Sequence, residues 1–88
     1  MTRKFIQNPD VAFRIIKGEA VLVFDNKLLT LNETGSKIWT FIENKADFEQ
    51  IIQFLIEEYD VSNEDARKDA DDFLSQLKEH NMIIEESL

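Results

Sequence analysis

Residue types that carry out chemistry in proteins are few in this 88-residue chain, and their spacing does not favour catalysis. The only histidine, His80, falls in the last turn of a predicted helix, where a cation interacts favourably with the helix dipole. Nucleophilic catalysis needs a base beside the nucleophile, and the sequence nominates none for Ser36, Ser62, Ser75 or Ser87. We therefore expect no catalytic residues and no enzymatic activity.

Metal and cofactor binding are equally unsupported by the residue pattern. The chain has no cysteine, which excludes disulfides and thiolate ligands. Asp69, Asp71 and Asp72 form the densest acidic cluster, but they lack the loop spacing of a calcium site and are typical of a solvated helix face. The two glycines are isolated and form no phosphate-binding loop. We expect neither a cofactor nor a metal.

The formal net charge of −8 is unevenly distributed. Residues 1–31 carry five basic and three acidic side chains, whereas residues 32–88 carry five basic and fifteen acidic ones. Such an acidic body repels phosphate backbones and favours neutral or basic partners. No apolar run is long enough for a membrane span, and the N-terminus lacks the apolar core of a signal peptide. We expect no nucleic acid or membrane partner, and a cytoplasmic location.

Three short apolar segments in the first part of the chain have the character of β-strands. They are residues 11–16, 20–24 and 27–31, and Lys17-Gly18 and Asp25-Asn26 separate them. Both dipeptides suit tight turns, so the short links predict an antiparallel three-stranded meander. The second strand is apolar at nearly every position. A strand covered on both faces would have this composition, and so would a strand with one apolar face left for a partner.

Three helices follow, and each begins at a polar residue. Asn32, Asp47 and Ser62 are suitable N-caps, because their side-chain oxygens accept a free amide proton of the first turn. Gln50 would complete a capping box with Asp47. Asn81 suits the left-handed conformation that ends a helix.

The predicted fold class is α+β and winged helix-turn-helix-like, with a three-stranded antiparallel sheet followed by three helices. We expect one domain over residues 1–88, with its core at about 11–84, and an extended tail at residues 82–84 that packs back on that core. The aromatic side chains are typical of a core, and we expect Trp39 to be partly exposed. Gly35 lies in the first helical turn, where its missing side chain would let another backbone come close.

A helix-turn-helix makes DNA binding an alternative function, because the second helix of such a pair enters the major groove. Here that helix, residues 63–79, carries six acidic and three basic side chains, a poor surface for phosphate. A structural or dimerisation module is the remaining alternative.

The order L-N-E-T-G at residues 31–35, followed by Ile38-Trp39, resembles the strand-to-helix junction of the PqqD-like family. These proteins are stand-alone recognition elements for ribosomally made, post-translationally modified peptides. Further matches are Gly18-Glu19, the stripe of residues 48–59 with Val61-Ser62, and Asp69, Phe73-Leu74, Leu77 and Met82-Ile83. The departures are Leu29, where family members often have an aromatic residue, and Asn81, where they often have glycine.

This resemblance implies a non-catalytic adaptor that binds the leader segment of a precursor peptide. The leader would add as an extra strand to the third predicted strand and lie in a cleft with the third helix. A separate maturation enzyme, such as a radical-SAM enzyme or a leader peptidase, would then receive it. The implied peptide contacts are Lys27, Leu28, Leu29, Thr30 and Leu31 on the strand, and Arg67, Ala70, Asp71, Leu74 and Lys78 on the helix. The product remains open between a quinone cofactor, a lasso peptide and another radical-modified peptide.

Overall fold

The computed structural model of the protein describes residues 3–87; Met1, Thr2 and Leu88, which the predicted domain includes, lie outside that range. Its strands are β1 (Arg3–Gln7), β2 (Ala12–Ile16), β3 (Glu19–Phe24), β4 (Lys27–Thr30), β5 (Ala46–Asp47) and β6 (Ile83–Ser87). Its helices are α1 (Glu33–Phe41), α2 (Phe48–Tyr59) and α3 (Asn63–Glu79), with a short 3₁₀ turn at Ile42–Asn44. Within the described range, none of these helices is both long and apolar enough to cross a membrane.

Strands β2, β3 and β4 form the predicted antiparallel meander, in that order across the sheet. Both of its turns have two residues with positive φ: 53° and 83° at Lys17-Gly18, and 51° and 63° at Asp25-Asn26. This is the turn geometry that matches the twist of a tight hairpin. The prediction of three strands followed by three helices is confirmed, and β2 and β4 are the two edges of the meander.

A second three-stranded sheet, in the order β5-β1-β6, was not predicted. Strand β1 is its centre and pairs antiparallel with both neighbours, so that Arg3 lies opposite Ser87. The predicted extended tail is confirmed for Ile83 and Ile84, which begin β6, while Met82 precedes the strand. Met82 and Ile83 pack into the core as expected, but Ile84 is 44% exposed and does not.

The predicted helix caps are all present. The Asn32 side chain accepts a hydrogen bond from the Gly35 amide at 2.8 Å, and Ser62 caps α3 in the same way at 3.1 Å. Asp47 and Gln50 form the reciprocal capping box at the start of α2. Asn81 has a φ of 60°, the predicted left-handed conformation. Because each cap involves residues only a few positions apart, sequence alone was sufficient to locate them.

Two local expectations were wrong. Trp39 has no exposed surface, because the ring of Phe13 on β2 packs edge-on against it with centroids 5.4 Å apart. The close neighbour of Gly35 is a side chain and not a backbone. A Cβ atom at Gly35 would lie only 2.7 Å from Cε1 of Phe73, so a larger residue there would displace the Phe73 ring from its place against α1.

Ser36 joins the meander to helix α1 and is buried, with 3% of its surface exposed. Its hydroxyl accepts a hydrogen bond from the Ala20 amide and donates to the Asn32 carbonyl, both at 2.7 Å. The Leu31 amide donates to the Ala20 carbonyl at 2.8 Å. The hydroxyl therefore satisfies the Ala20 amide at the point where the chain leaves the sheet and enters the helix.

Replacing Ser36→Ala should lower the free energy of unfolding by about 1–3 kcal/mol, because the Ala20 amide would stay buried without its acceptor. Urea unfolding followed by circular dichroism measures this change. The matched control is Ser75→Ala on the exposed face of α3, which should stay within about 0.5 kcal/mol of the parent. Equal effects of the two substitutions would contradict the structural role of the Ser36 hydroxyl.

Candidate peptide-binding site

Strand β4 presents unpaired backbone groups at the edge of the meander. Because the Leu31 amide points to β3, and amides alternate in direction along a strand, the amides of Leu28 and Thr30 point away from β3. Leu29, between them, lies opposite Leu22 and faces the core. An open edge of this kind is a template for an additional strand.

A recess of about 150 Å³ lies between β4 and α3, and we call it the edge recess. Its lining consists of Leu29, Thr30, Leu31, Asn32, Phe73, Gln76 and Leu77. Phe73 and Gln76 are three positions apart on α3 and therefore share one side of that helix. A peptide strand added to β4 would have these helix side chains beside it.

A larger recess of about 400 Å³ adjoins the edge recess, since Asn32 and Phe73 line both. We call it the inner recess. Its other lining residues are Thr34, Gly35, Ile38, Leu55, Tyr59, Val61, Ala66 and Asp69. The Tyr59 hydroxyl is buried and has no hydrogen-bond partner among residues 3–87. A buried polar atom on an otherwise largely apolar wall offers a ligand one polar contact.

The five residues predicted on the third helix lie elsewhere on α3. Ala70 and Leu74 have no exposed surface and pack in the core. Arg67 donates to the carboxylate of Glu49 on α2, at 2.9 Å for one of its two bonds. This side of α3 faces the second helix and the second sheet.

Asp71 and Lys78 lie on the same side of α3 as Arg67. Asp71 accepts a hydrogen bond from Arg3 on β1 at 3.3 Å, and Lys78 donates to Glu85 on β6 at 2.8 Å. The predicted β4 residues lie at the edge recess or in the strand that borders it, whereas the helix side chains at that recess are Phe73, Gln76 and Leu77. Peptide contact by the predicted helix residues stays a prediction. The sequence signal for the side of α3 that faces β4 was the apolar pair Phe73 and Leu77, which lie four positions apart.

Glu85 is the charged centre of the contact between β1, β6 and α3. The hydrogen bond from Arg3, reinforced by that from Lys78, lowers the pKa of Glu85 from 4.5 to about 2 against a smaller opposing effect of burial. The same bond raises the pKa of Arg3. The folded state therefore favours the ionised carboxylate of Glu85.

Because the pKa of Glu85 is depressed on folding, its contribution to stability is complete above pH 4.5 and is lost as the pH falls towards about 2. We expect Glu85→Gln to lower the free energy of unfolding at pH 6 and to flatten its decline between those pH values. Urea unfolding across this range measures both effects. Glu79→Gln is the control, since Glu79 is exposed and forms no ion pair within residues 3–87. If Glu85→Gln leaves the decline in unfolding free energy between pH 4.5 and about 2 unchanged, Glu85 is not the group responsible for it.

An open strand edge beside a helix-lined recess defines the class of domains that accommodate an extended peptide by strand addition. The family model of coenzyme PQQ synthesis protein D, PqqD, matches residues 19–83. The chain belongs to the PqqD family. The matched residues include β4, α3 and the lining of both recesses, so the resemblance noted in the sequence is confirmed.

Two solved structures are similar over nearly the whole fold. One is TbiB1 in complex with the TbiA(beta) leader peptide, with a TM-score of 0.83 and 26% sequence identity over 89% of this chain and 93% of that chain. The other is a lasso peptide synthetase B1 complexed with the leader peptide, with a TM-score of 0.80 and 26% identity over 91% of this chain and 96% of that one. Among curated proteins, no sequence matches significantly.

Proposed function

We propose that this chain is a non-catalytic adaptor that binds the leader segment of a ribosomally synthesised precursor peptide and presents it to a separate maturation enzyme. The observation that carries this proposal is the open edge of β4 beside the recesses formed with α3. Both similar solved structures, which share 26% of their residues with this chain, hold leader peptides. The adaptor would act in the cytoplasm, where precursors are translated, as one domain over residues 1–88.

The backbone of β4 would supply the part of the affinity that does not depend on leader sequence. A leader strand would pair with the outward amides and carbonyls of Leu28 and Thr30, extending the meander to four strands. Its side chains would then alternate between the recesses and the opposite face of the sheet. Ordering a flexible leader costs conformational entropy, so we expect a dissociation constant between about 10 nM and 10 μM.

Side chains on α3 and α1 would supply selectivity. Phe73, Gln76 and Leu77 form the wall opposite β4, and an apolar leader side chain would fit the inner recess. Burying one such side chain contributes about 1.5–3 kcal/mol, enough to distinguish a leader with the anchor from one without it. The Tyr59 hydroxyl would be available to a polar atom of the leader beside that anchor.

For the enzyme that receives the leader, the proposal names only a class: a radical-SAM enzyme or a leader peptidase. The same holds for the product, which would be a quinone cofactor, a lasso peptide or another modified peptide. DNA binding has no support from a geometry in which α3 presents most of its acidic side chains to solvent.

The first test concerns the edge amides. Proline at position 28 or 30 removes one outward donor without removing a bond to β3, so both Leu28→Pro and Thr30→Pro should fold and should weaken leader binding about tenfold or more. Leu28→Ala and Thr30→Ala keep the amides and serve as matched controls. Isothermal titration with a leader peptide that the parent chain binds measures the affinities. Parental affinity in both folded proline variants would exclude strand addition to β4.

The second test asks which side of α3 faces the leader. Phe73→Ala should weaken leader binding about tenfold, because it removes the aromatic wall shared by both recesses. Arg67→Gln and Asp71→Asn test the contacts that the resemblance implies on the other side of the helix, and an affinity within about twofold of the parent would exclude those contacts. Thermal melting confirms that each variant is folded. The opposite result, with loss confined to Arg67→Gln and Asp71→Asn, would place the leader on the side predicted from the sequence.

A further inference from the structure

The second edge of the meander, strand β2, is open along its whole length. All five of its residues are exposed, although alternate side chains of a strand point to opposite faces. No further strand pairs with this edge within residues 3–87, because β2 ends the sheet order β2-β3-β4. An uncovered edge of this kind is a template for strand addition.

The backbone of β2 presents outward hydrogen-bonding groups at Phe13 and Ile15. Ile15 lies opposite Ala20 on β3. The Ala20 amide donates to the Ser36 hydroxyl, and the Ala20 carbonyl accepts from the Leu31 amide, so both groups point away from β2. Ile15 therefore belongs to a pair that exchanges no backbone bonds, and its own amide and carbonyl point to the open edge. The backbone of Phe13, two positions earlier, has the same direction.

An apolar groove of about 460 Å³ lies on the helix side of this edge, and we call it the β2 groove. Ile15 forms its wall on β2, and the rings of Phe41 on α1 and Phe54 on α2 stack in it with centroids 4.5 Å apart. Ile15 is 48% exposed and Phe41 is 36% exposed. A strand added to β2 would project every second side chain over this groove, and apolar side chains would suit it best.

The charges at the β2 edge indicate the chemistry of the remaining side chains of such a strand. Strand β2 and the turn after it carry Arg14 and Lys17 and no acidic residue. Neither cation forms an ion pair within the part of the chain that the structure describes. Glu58, the one carboxylate in the groove lining, is already paired with Lys37 at 3.8 Å. Because Arg14 alternates with the groove-facing residues of β2, its side chain lies on the outer face, where an acidic neighbour would match it.

We propose that the β2 edge is a second strand-addition site, which binds an extended segment of another protein that alternates apolar and acidic residues. The apolar side chains of that segment would enter the β2 groove, and the acidic ones would lie beside Arg14. This site lies at the opposite edge of the meander from β4 and does not depend on leader binding there. The domain would thus accommodate two polypeptides at once, one on each edge.

A second copy of this chain is a poorer occupant of the β2 edge. Pairing β2 with β2 of another copy would bring Arg14 and Lys17 to a strand that carries the same cations and no carboxylate. Each copy also has a net charge of −8. Both repulsions oppose self-association through this edge.

A blocked synthetic heptapeptide that alternates glutamate with valine and phenylalanine is the probe for this site. Titration of the whole chain, followed by amide chemical shifts in NMR spectra, should give saturable changes at Phe13, Ile15 and Phe41. A counterpart with lysine in place of glutamate should bind about tenfold more weakly, because it would meet Arg14 with like charge. No change at about 1 mM probe, or changes confined to the β4 edge, would overturn the proposal.

Substitutions on β2 test the two halves of the interaction separately. Ile15→Pro removes an outward amide without removing a bond to β3, and should weaken probe binding about tenfold or more. Thr30→Pro is the matched proline on the other edge and should leave probe binding unchanged. Arg14→Glu, a surface change that keeps every amide, should reverse the preference between the glutamate and lysine peptides. Lys68→Glu on the exposed side of α3 is the charge control and should keep the parental preference.

The possible results distinguish this site from the proposed leader site. Loss of leader binding in Thr30→Pro, with probe binding retained, would support two independent edges. An unchanged peptide preference in Arg14→Glu would overturn the β2 site and leave the leader site standing. A parent dimer in sedimentation that Ile15→Pro dissociates would also overturn it, in favour of a second copy. Leader binding that is lost in Ile15→Pro and kept in Thr30→Pro would instead assign the leader to β2, against both proposals.

Discussion

The hydroxyl of Ser36 holds the meander against the start of α1, at the end of β4 whose outward backbone groups form the open edge. It accepts a hydrogen bond from the Ala20 amide at the point where the chain passes from strand to helix. The Leu31 amide still donates to the Ala20 carbonyl. The bond between Leu31 and Ala20 continues the register of β3 against β4 that begins at the tight turn of Asp25-Asn26. A slip of one residue would turn the amides of positions 28 and 30 towards β3 and move Leu29 from the core to solvent. The placement of the proposed peptide edge against α1 thus depends on one buried hydrogen-bonded junction.

Helix α3 is the wall that the two sheets share. Its inward face, Ala70 and Leu74, is fully buried, so the helix cannot rotate without opening the core. The side towards β1, β6 and α2 is held by ion pairs, and the opposite side is left to line the recesses beside β4. The Phe73 ring lies against Gly35 at the start of α1 and lines both recesses, so a side chain added at Gly35 would displace a shared wall of the two. In the proposed function, one side of this helix contributes to stability and the opposite side to ligand selectivity.

Local features of this fold were readable from the sequence, and long-range ones were not. The two hairpin turns and the helix caps depend on residues within a few positions, and they were predicted, whereas the 3₁₀ turn at Ile42–Asn44 was not. Strand β1 was missed because its partners lie far along the chain and Arg3-Lys4 breaks its apolar pattern. The side of α3 that faces β4 was ambiguous, since residues on both sides of Ala70 and Leu74 have helical spacing and only the second sheet distinguishes them. Trp39 was misjudged because Phe13, from a distant strand, covers it. The family was recognised from the order of its motifs, and residues 19–83 confirm it.

The pairing of Arg3 with Ser87 brings the two ends of the described chain side by side. Both ends lie on the sheet that contacts the charged side of α3, across that helix from the peptide edge. A polypeptide attached at either end would leave the domain from the same place, away from the edge recess. The same adjacency makes the fold suited to insertion as a module within a longer chain, and to circular permutation that reconnects the ends and opens the hairpin at Lys17-Gly18.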